Sequence, residues 1–138
     1  MIIHSLIQQM SDDGFGTVNA DLQMGVLPLD SNGKPRNGIA VTARGSDETH
    51  RGSHSQNVDF YVRNINPLTA SNKAQEILEY LKASYADICT LPPLSGYTTE
   101  SFGNVTIEPT SSVEFVGVDE NCGHSFVVSG VIRYKPIN

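Results

Sequence analysis

"VDFYVRNINPLTASNKAQEILEYLKA", residues 58–83, decides the fold. Its first six residues alternate, with Val58, Phe60 and Val62 on one face of a strand and Asp59, Tyr61 and Arg63 on the other. Beyond them the period changes. Ala70, Ala74, Ile77, Leu78 and Leu81, with Tyr85 just past the quotation, fall on one stripe of a helix. Between the two periods, Asn64 and Asn66 tolerate turn conformations, and Pro67 keeps Asn66 out of helical geometry. Thr69 or Ser71 is placed to cap the helix. Lys73 with Glu76, and Glu79 with Lys82, are three apart and pair on the solvent side. The joint has no glycine to let a backbone approach a phosphate, so it reads as a strand-to-helix turn. Arg63 and Lys73 flank it as charges near the joint.

The same two periods organise the rest. Ile2, Ile3, Leu6, Ile7 and Met10 share one face of a short N-terminal helix, stopped by "SDDG". "DLQMGVLPL" reads as a strand ending near Pro28. "DSNGKPRNG" is the densest turn cluster in the chain. "IAVTA", residues 39–43, alternates as a strand. Residues 44–56, "RGSDETHRGSHSQ", contain no apolar side chain and read as a long polar loop, either mobile or ordered by a partner. "TLPPLSGYTTESFG" is a second loop, stiffened by Pro92 and Pro93. "NVTIEP", "SSVEFVGVD" and "HSFVVSGVIRYK" follow as strands, with "DENCG" suited to a hairpin turn. In the last strand Phe126, Val128, Ile132 and Tyr134 share a face, and Gly130 marks a bulge or a close approach. The plan is α+β: a mostly antiparallel sheet flanked by two helices in one domain, residues 1–138.

The chain has 138 residues, enough for one core, and a net charge of −6, which argues against broad affinity for nucleic-acid backbones. "MIIHSLIQQM" lacks the basic region and apolar length of a signal peptide, and no stretch approaches a membrane span. Cys89 and Cys122 make no disulfide framework, and Cys89, in "ADICTL", reads as a small buried hydrophobe. The Asn104-Val105-Thr106 sequon has no meaning without secretion. These features lead to the expectation of a soluble, intracellular, reduced protein.

Chemistry is sparse. His50 and His54 have metal-pair spacing, but that spacing co-locates rings only on a helix, and Gly52 and Ser53 lie between them. Asp47 and Glu48 are the nearby carboxylates of a metal-dependent hydrolase reading, the less favoured alternative. Cys122, His124, Asp119 and Glu120 cluster in a turn, where neighbours two apart point apart. "DDGFG" has an incomplete glycine pattern and two acids that would repel a phosphate. Aromatic and basic residues do not interleave as a single-strand stacking platform requires. Glu108 and Glu114 are isolated carboxylates that sequence cannot place in a cleft. No catalytic constellation stands out.

Several segments together resemble the tail terminator and minor capsid proteins of long-tailed bacteriophages. The resemblance runs from "LQMGVLPL" through "IAVTA" and "VDFYVRNINPLTASNKAQEILEYLKA" to "NVTIEPTSSVEFVGVDENCGHSFVVSGVIRYK", roughly residues 20–135. It implies a structural virion protein that caps the tail tube as a homo-oligomeric ring, usually of six. Such a ring stops tube growth and meets the head-completion or stopper proteins at the neck. DNA would pass through it without sequence-specific binding; no cofactor and no membrane are implied. Another neck component is the nearest alternative. The virion, and the host cytoplasm during assembly, are the implied locations. Within the 44–56 loop, the histidine-bearing part from Gly45 to Gln56 has no counterpart in the family pattern. On physical grounds its charged residues Arg44, Asp47, Glu48, His50, Arg51 and His54, together with Arg63 and Lys73, are the candidate contacts. The second loop, residues 92–103, is the other candidate.

Overall fold

The computed structural model describes residues 2–27, 29–50, 53–85, 89–91 and 102–136, of which 46–50, 84, 85, 89, 90, 102–104 and 136 are described in backbone only. Helix α1, Ile2–Asp12, buries Ile2, Ile3, Leu6, Ile7 and Met10, the stripe read from the sequence. It ends in a Schellman cap. Phe15 N–H donates to the Met10 carbonyl at 3.0 Å and Gly14 N–H to that of Ser11 at 3.1 Å. Gly14 takes the left-handed position at φ 91°, where a side chain would be strained.

Helix α2, Pro67–Tyr85, follows the joint as expected and buries Ala70, Ala74, Ile77, Leu78 and Leu81. Its cap is Asn66, not Thr69 or Ser71: the Asn66 side-chain oxygen accepts the N–H groups of Leu68 at 3.0 Å and Thr69 at 3.2 Å. The restriction that Pro67 places on Asn66 favours the extended backbone an N-cap uses, so Pro67 begins the helix rather than preceding it. The Lys73–Glu76 and Lys82–Glu79 pairs form at 3.4 and 3.6 Å.

Seven strands make one sheet: β1 (Leu22–Met24), β2 (Gly38–His50), β3 (Ser53–Asn64), β4 (Cys89–Leu91), β5 (Phe102–Pro109), β6 (Glu114–Val118) and β7 (His124–Pro136). The order is β1-β2-β3-β7-β5-β4, with β6 also on β7. Only β1–β2 is parallel among these pairs, so the class is α+β with a mostly antiparallel sheet. α2 lies over β3, β5 and β7, while α1 touches β1, β2 and β4. β1 and β4 stand at opposite ends of the strand order, so the sheet curls around α1. Val58, Phe60, Val62, Val128 and Ile132 face the helices and are buried. At Gly130, a Cβ would come within 3.0 Å of the Glu108 carbonyl and 3.5 Å of Leu81, so this glycine marks a close approach.

Residues 44–56 are not a loop. They form the distal arm of the β2–β3 hairpin, paired to His50↔Ser53, with Arg51 and Gly52 outside the described residues. β3 is held here by β7, through His54↔Tyr134, Ser55↔Arg133 and Gln56↔Ile132. Cross-strand partners thus supply what the arm's own composition lacks. A bulge between Arg44 and Glu48 interrupts β2, with Gly45 at φ 77°. The buried Gln56 amide fills it, donating to the carbonyls of Gly45 at 3.3 Å and Asn57 at 3.0 Å. The "DLQMGVLPL" strand is shorter than expected: only Leu22–Met24 pairs regularly with β2, and Leu29 makes an isolated bridge with Pro35. In the second expected loop, residues 92–101 lie outside the described residues, as does the Cys89 side chain.

Candidate functional site

The joint that opens the strand-to-helix connection is built around Arg63. β3 turns this side chain to the sheet face away from the helices, and loops bury it to 9% exposure. Its Nε donates to Asp119 Oδ2 at 2.6 Å and its Nη2 to Asp119 Oδ1 at 3.2 Å. Its Nη1 donates to the Pro35 carbonyl at 3.2 Å and to Asn37 Oδ1 at 3.1 Å. A bidentate guanidinium–carboxylate pair is among the stronger polar contacts, because two parallel bonds fix both planes. One residue therefore ties together the 35–37 segment, the end of β3 and the β6–β7 turn.

Asp119 organises that turn as well. Its Oδ1 accepts the N–H groups of Asn121 at 2.9 Å and Gly123 at 3.0 Å. The hydrogen bond from Arg63, followed by that from Gly123, holds the Asp119 carboxyl well below the usual carboxylate range. Cys122 sits at φ 64°, the left-handed position of this hairpin turn. A Cβ at Gly123 would collide with the Arg63 guanidinium, so the glycine is what lets the pair form.

A cleft of about 160 Å³ opens beside this network, lined by Phe15, Asn37, Arg63, Asn64, Thr69 and Lys73 among others. Its groups already have partners. Arg63 is paired with Asp119, and Lys73 with Glu76 while lying 5.8 Å above the Phe15 ring. Asp21, which also lines it, accepts the Thr17 N–H at 2.7 Å. Arg63 and Lys73, expected as charges open to a neighbouring chain, are thus engaged within this one.

The other expected contacts lie on the hairpin arm. Arg44 is exposed and pairs with Asp59 at 3.3 Å; Asp59 also accepts the Ser129 hydroxyl at 2.6 Å. Asp47, Glu48 and His50 are on β2 with side chains outside the described residues, as is all of Arg51. His54 faces the helix side and stacks on Tyr134, with centroids 5.2 Å apart. His50 pairs with Ser53 across the hairpin and His54 with Thr49, so the two histidines stand on opposite strands rather than one helix turn apart. Among the described residues no three potential metal ligands converge, and no helix is long and apolar enough to cross a membrane.

What the sequence did not disclose is the rim at β6. Phe115, Val116 and Val118 are 58%, 54% and 54% exposed. Phe115 pairs with Phe126 and Val118 with His124, two apart on β7, so across the bulge between Phe115 and Gly117 both stand on one face. Comparison of the sequence with protein-family models and with curated proteins finds no match.

Proposed function

We propose that this chain is a structural virion subunit, a tail terminator that sits as a ring on the last ring of a bacteriophage tail tube. Six copies is the number the family resemblance implies. The ring ends tube growth, meets the head-completion proteins on its other side, and passes DNA without reading it. The virion is where such a protein works, and the host cytoplasm is where it assembles.

The observation that carries this reading is the β2–β3 arm. β1 pairs with β2 only as far as Val41, so among the described residues the outer edge of β2 from Thr42 to His50 has no strand beside it. A polar edge of this length is soluble when alone, yet it presents a row of backbone donors and acceptors to another protein. The charges along it set which partner fits. The net charge of −6 suits a bore that must let DNA slide.

The experiment is microscopy of tails assembled with and without the chain. Overlong tails in its absence support termination; tails of normal length beside DNA-filled heads that fail to join would move the assignment to another neck protein.

A further inference from the structure

We propose that Asn32 is a site of spontaneous covalent modification, converted by water to aspartyl and isoaspartyl forms in the folded chain, while the fold shields Asn37 from the same reaction. Of the asparagines, only these two precede a glycine. The reaction needs the backbone nitrogen of the next residue to reach the asparagine side-chain carbon, and a glycine puts no side chain in the path. At Asn32 the Gly33 nitrogen bonds to Cγ and gives up its proton, and the Cγ–Nδ2 bond breaks to release ammonia. Water then opens the cyclic imide at either carbonyl. One opening leaves aspartate; the other leaves isoaspartate, whose backbone runs through Cγ. Nothing is oxidised or reduced, and water is the only co-reactant.

The two Asn-Gly pairs share this local chemistry, and their surroundings separate them. Asn32 and Gly33 lie exposed in the turn between Leu29 and its bridge partner Pro35. The Asn32 side-chain amide makes no hydrogen bond among the described residues; its backbone N–H donates to Asp30 Oδ1 at 2.8 Å. Gly33 stands at φ 75°, and a Cβ there would meet nothing within 4 Å. Its N–H donates to the Asp30 carbonyl at 3.0 Å, a single turn bond in water that opens at little cost. Asn37 is held at both reacting ends. Its Oδ1 accepts from Arg63 Nη1 at 3.1 Å and from the Ile65 N–H at 3.2 Å. Gly38 pairs with Arg63 in the β2–β3 ladder and packs against the Asp21 backbone. Conversion at Asn32 adds a negative charge two residues from Lys34. The isoaspartyl form also lengthens the turn that Asp30 closes by donating its N–H to the Lys34 carbonyl at 2.9 Å.

The test is incubation of the full chain at mildly alkaline pH, once folded and once in guanidinium chloride, followed by peptide mapping with mass spectrometry. The denatured chain should convert both asparagines at similar rates. The folded chain should convert Asn32 at least about tenfold faster than Asn37, because Asn37 reacts only from a locally opened ladder. The acidic form that folded wild type accumulates on ion exchange should be missing from Asn32→Gln, whose longer side chain must close a larger ring. A folded chain that keeps Asn32 as the amide while the denatured chain loses it overturns the proposal, since the turn then shields this residue too. So does equal conversion of the two asparagines in the folded chain, conversion of neither in guanidinium chloride, or an acidic form that persists in Asn32→Gln.

Discussion

At the scale of single residues, the most consequential assignment is that of Arg63 and Asp119. The sequence places Arg63 beside a polar joint, where it reads as an outward charge. Asp119 lies 56 positions further on, a separation at which no local pattern links the two. The unfolded chain binds a proton at Asp119 at the ordinary carboxylate pKa, while the folded chain resists it. Stability contributed by this group is therefore present above about pH 4 and is lost progressively as the pH falls below it. Urea unfolding at about pH 7 and about pH 3 should show that loss in the wild type and a shallower one in Asp119→Asn, which is already weaker at neutral pH. Equal slopes would mean that other carboxylates govern the acid limb. Cys122 offers a separate test. Its left-handed backbone costs roughly 1 kcal/mol, partly offset on mutation by the extra freedom of an unfolded glycine. Cys122→Gly should raise stability by about 0.5 kcal/mol, and Cys122→Val should lower it by at least about 1 kcal/mol.

At the scale of elements, periodicity was a good guide wherever a face was buried under helix. The α1 stripe, the α2 stripe from Ala70 to Leu81 and the Val58–Phe60–Val62 alternation match the burial, the Tyr85 side chain lying outside the described residues, and the Asn/Pro joint falls between strand and helix. The cap shows the limit of that guide: Thr69, Ser71 and Asn66 are all capping residues, and only the fixed geometry around Pro67 selects Asn66. Asn66→Ala should cost about 1 kcal/mol in thermal or urea unfolding, while Thr69→Ala, exposed in the first turn, should cost little. Leu81→Ala should cost about 2–5 kcal/mol, since Leu81 is fully buried against the sheet beside Gly130. The arm at 44–56 was illegible for a physical reason. Apolar alternation marks strands that pack on a core, and this arm is held instead by backbone pairing to β7 and by Gln56 in its bulge. The candidate contacts along it were legible as charges, but their order as a strand was not. The β6 rim was missed for the opposite reason: its composition resembles a buried strand, and its exposure is set by tertiary packing that no local pattern records.

For the whole molecule, the fold is held by the curl of the sheet around α1. α1 touches strands near both ends of the strand order, so its apolar face closes the core that β1, β2 and β4 alone would leave open. An eleven-residue helix is marginal by itself in water, so its order comes from that docking, and the docking site in turn needs the helix. Deleting residues 1–13 should therefore abolish a cooperative unfolding transition and raise binding of a hydrophobic dye. The arm meets this core where His54 stacks on Tyr134. Replacing Thr49–His54 with Asn-Gly leaves Glu48↔Ser55 as the closing pair of a two-residue hairpin and removes the His54–Tyr134 stack. That change should cost about 1–2 kcal/mol and keep a cooperative transition, because Ser53 and His54, whose side chains are described, are not buried and the ring stack on Tyr134 is worth about that much. Under the terminator reading the same variant should fail to limit tail length. A variant that unfolds would place the arm within the cooperative unit, and one that folds and still caps tubes would remove the arm from the tube contact.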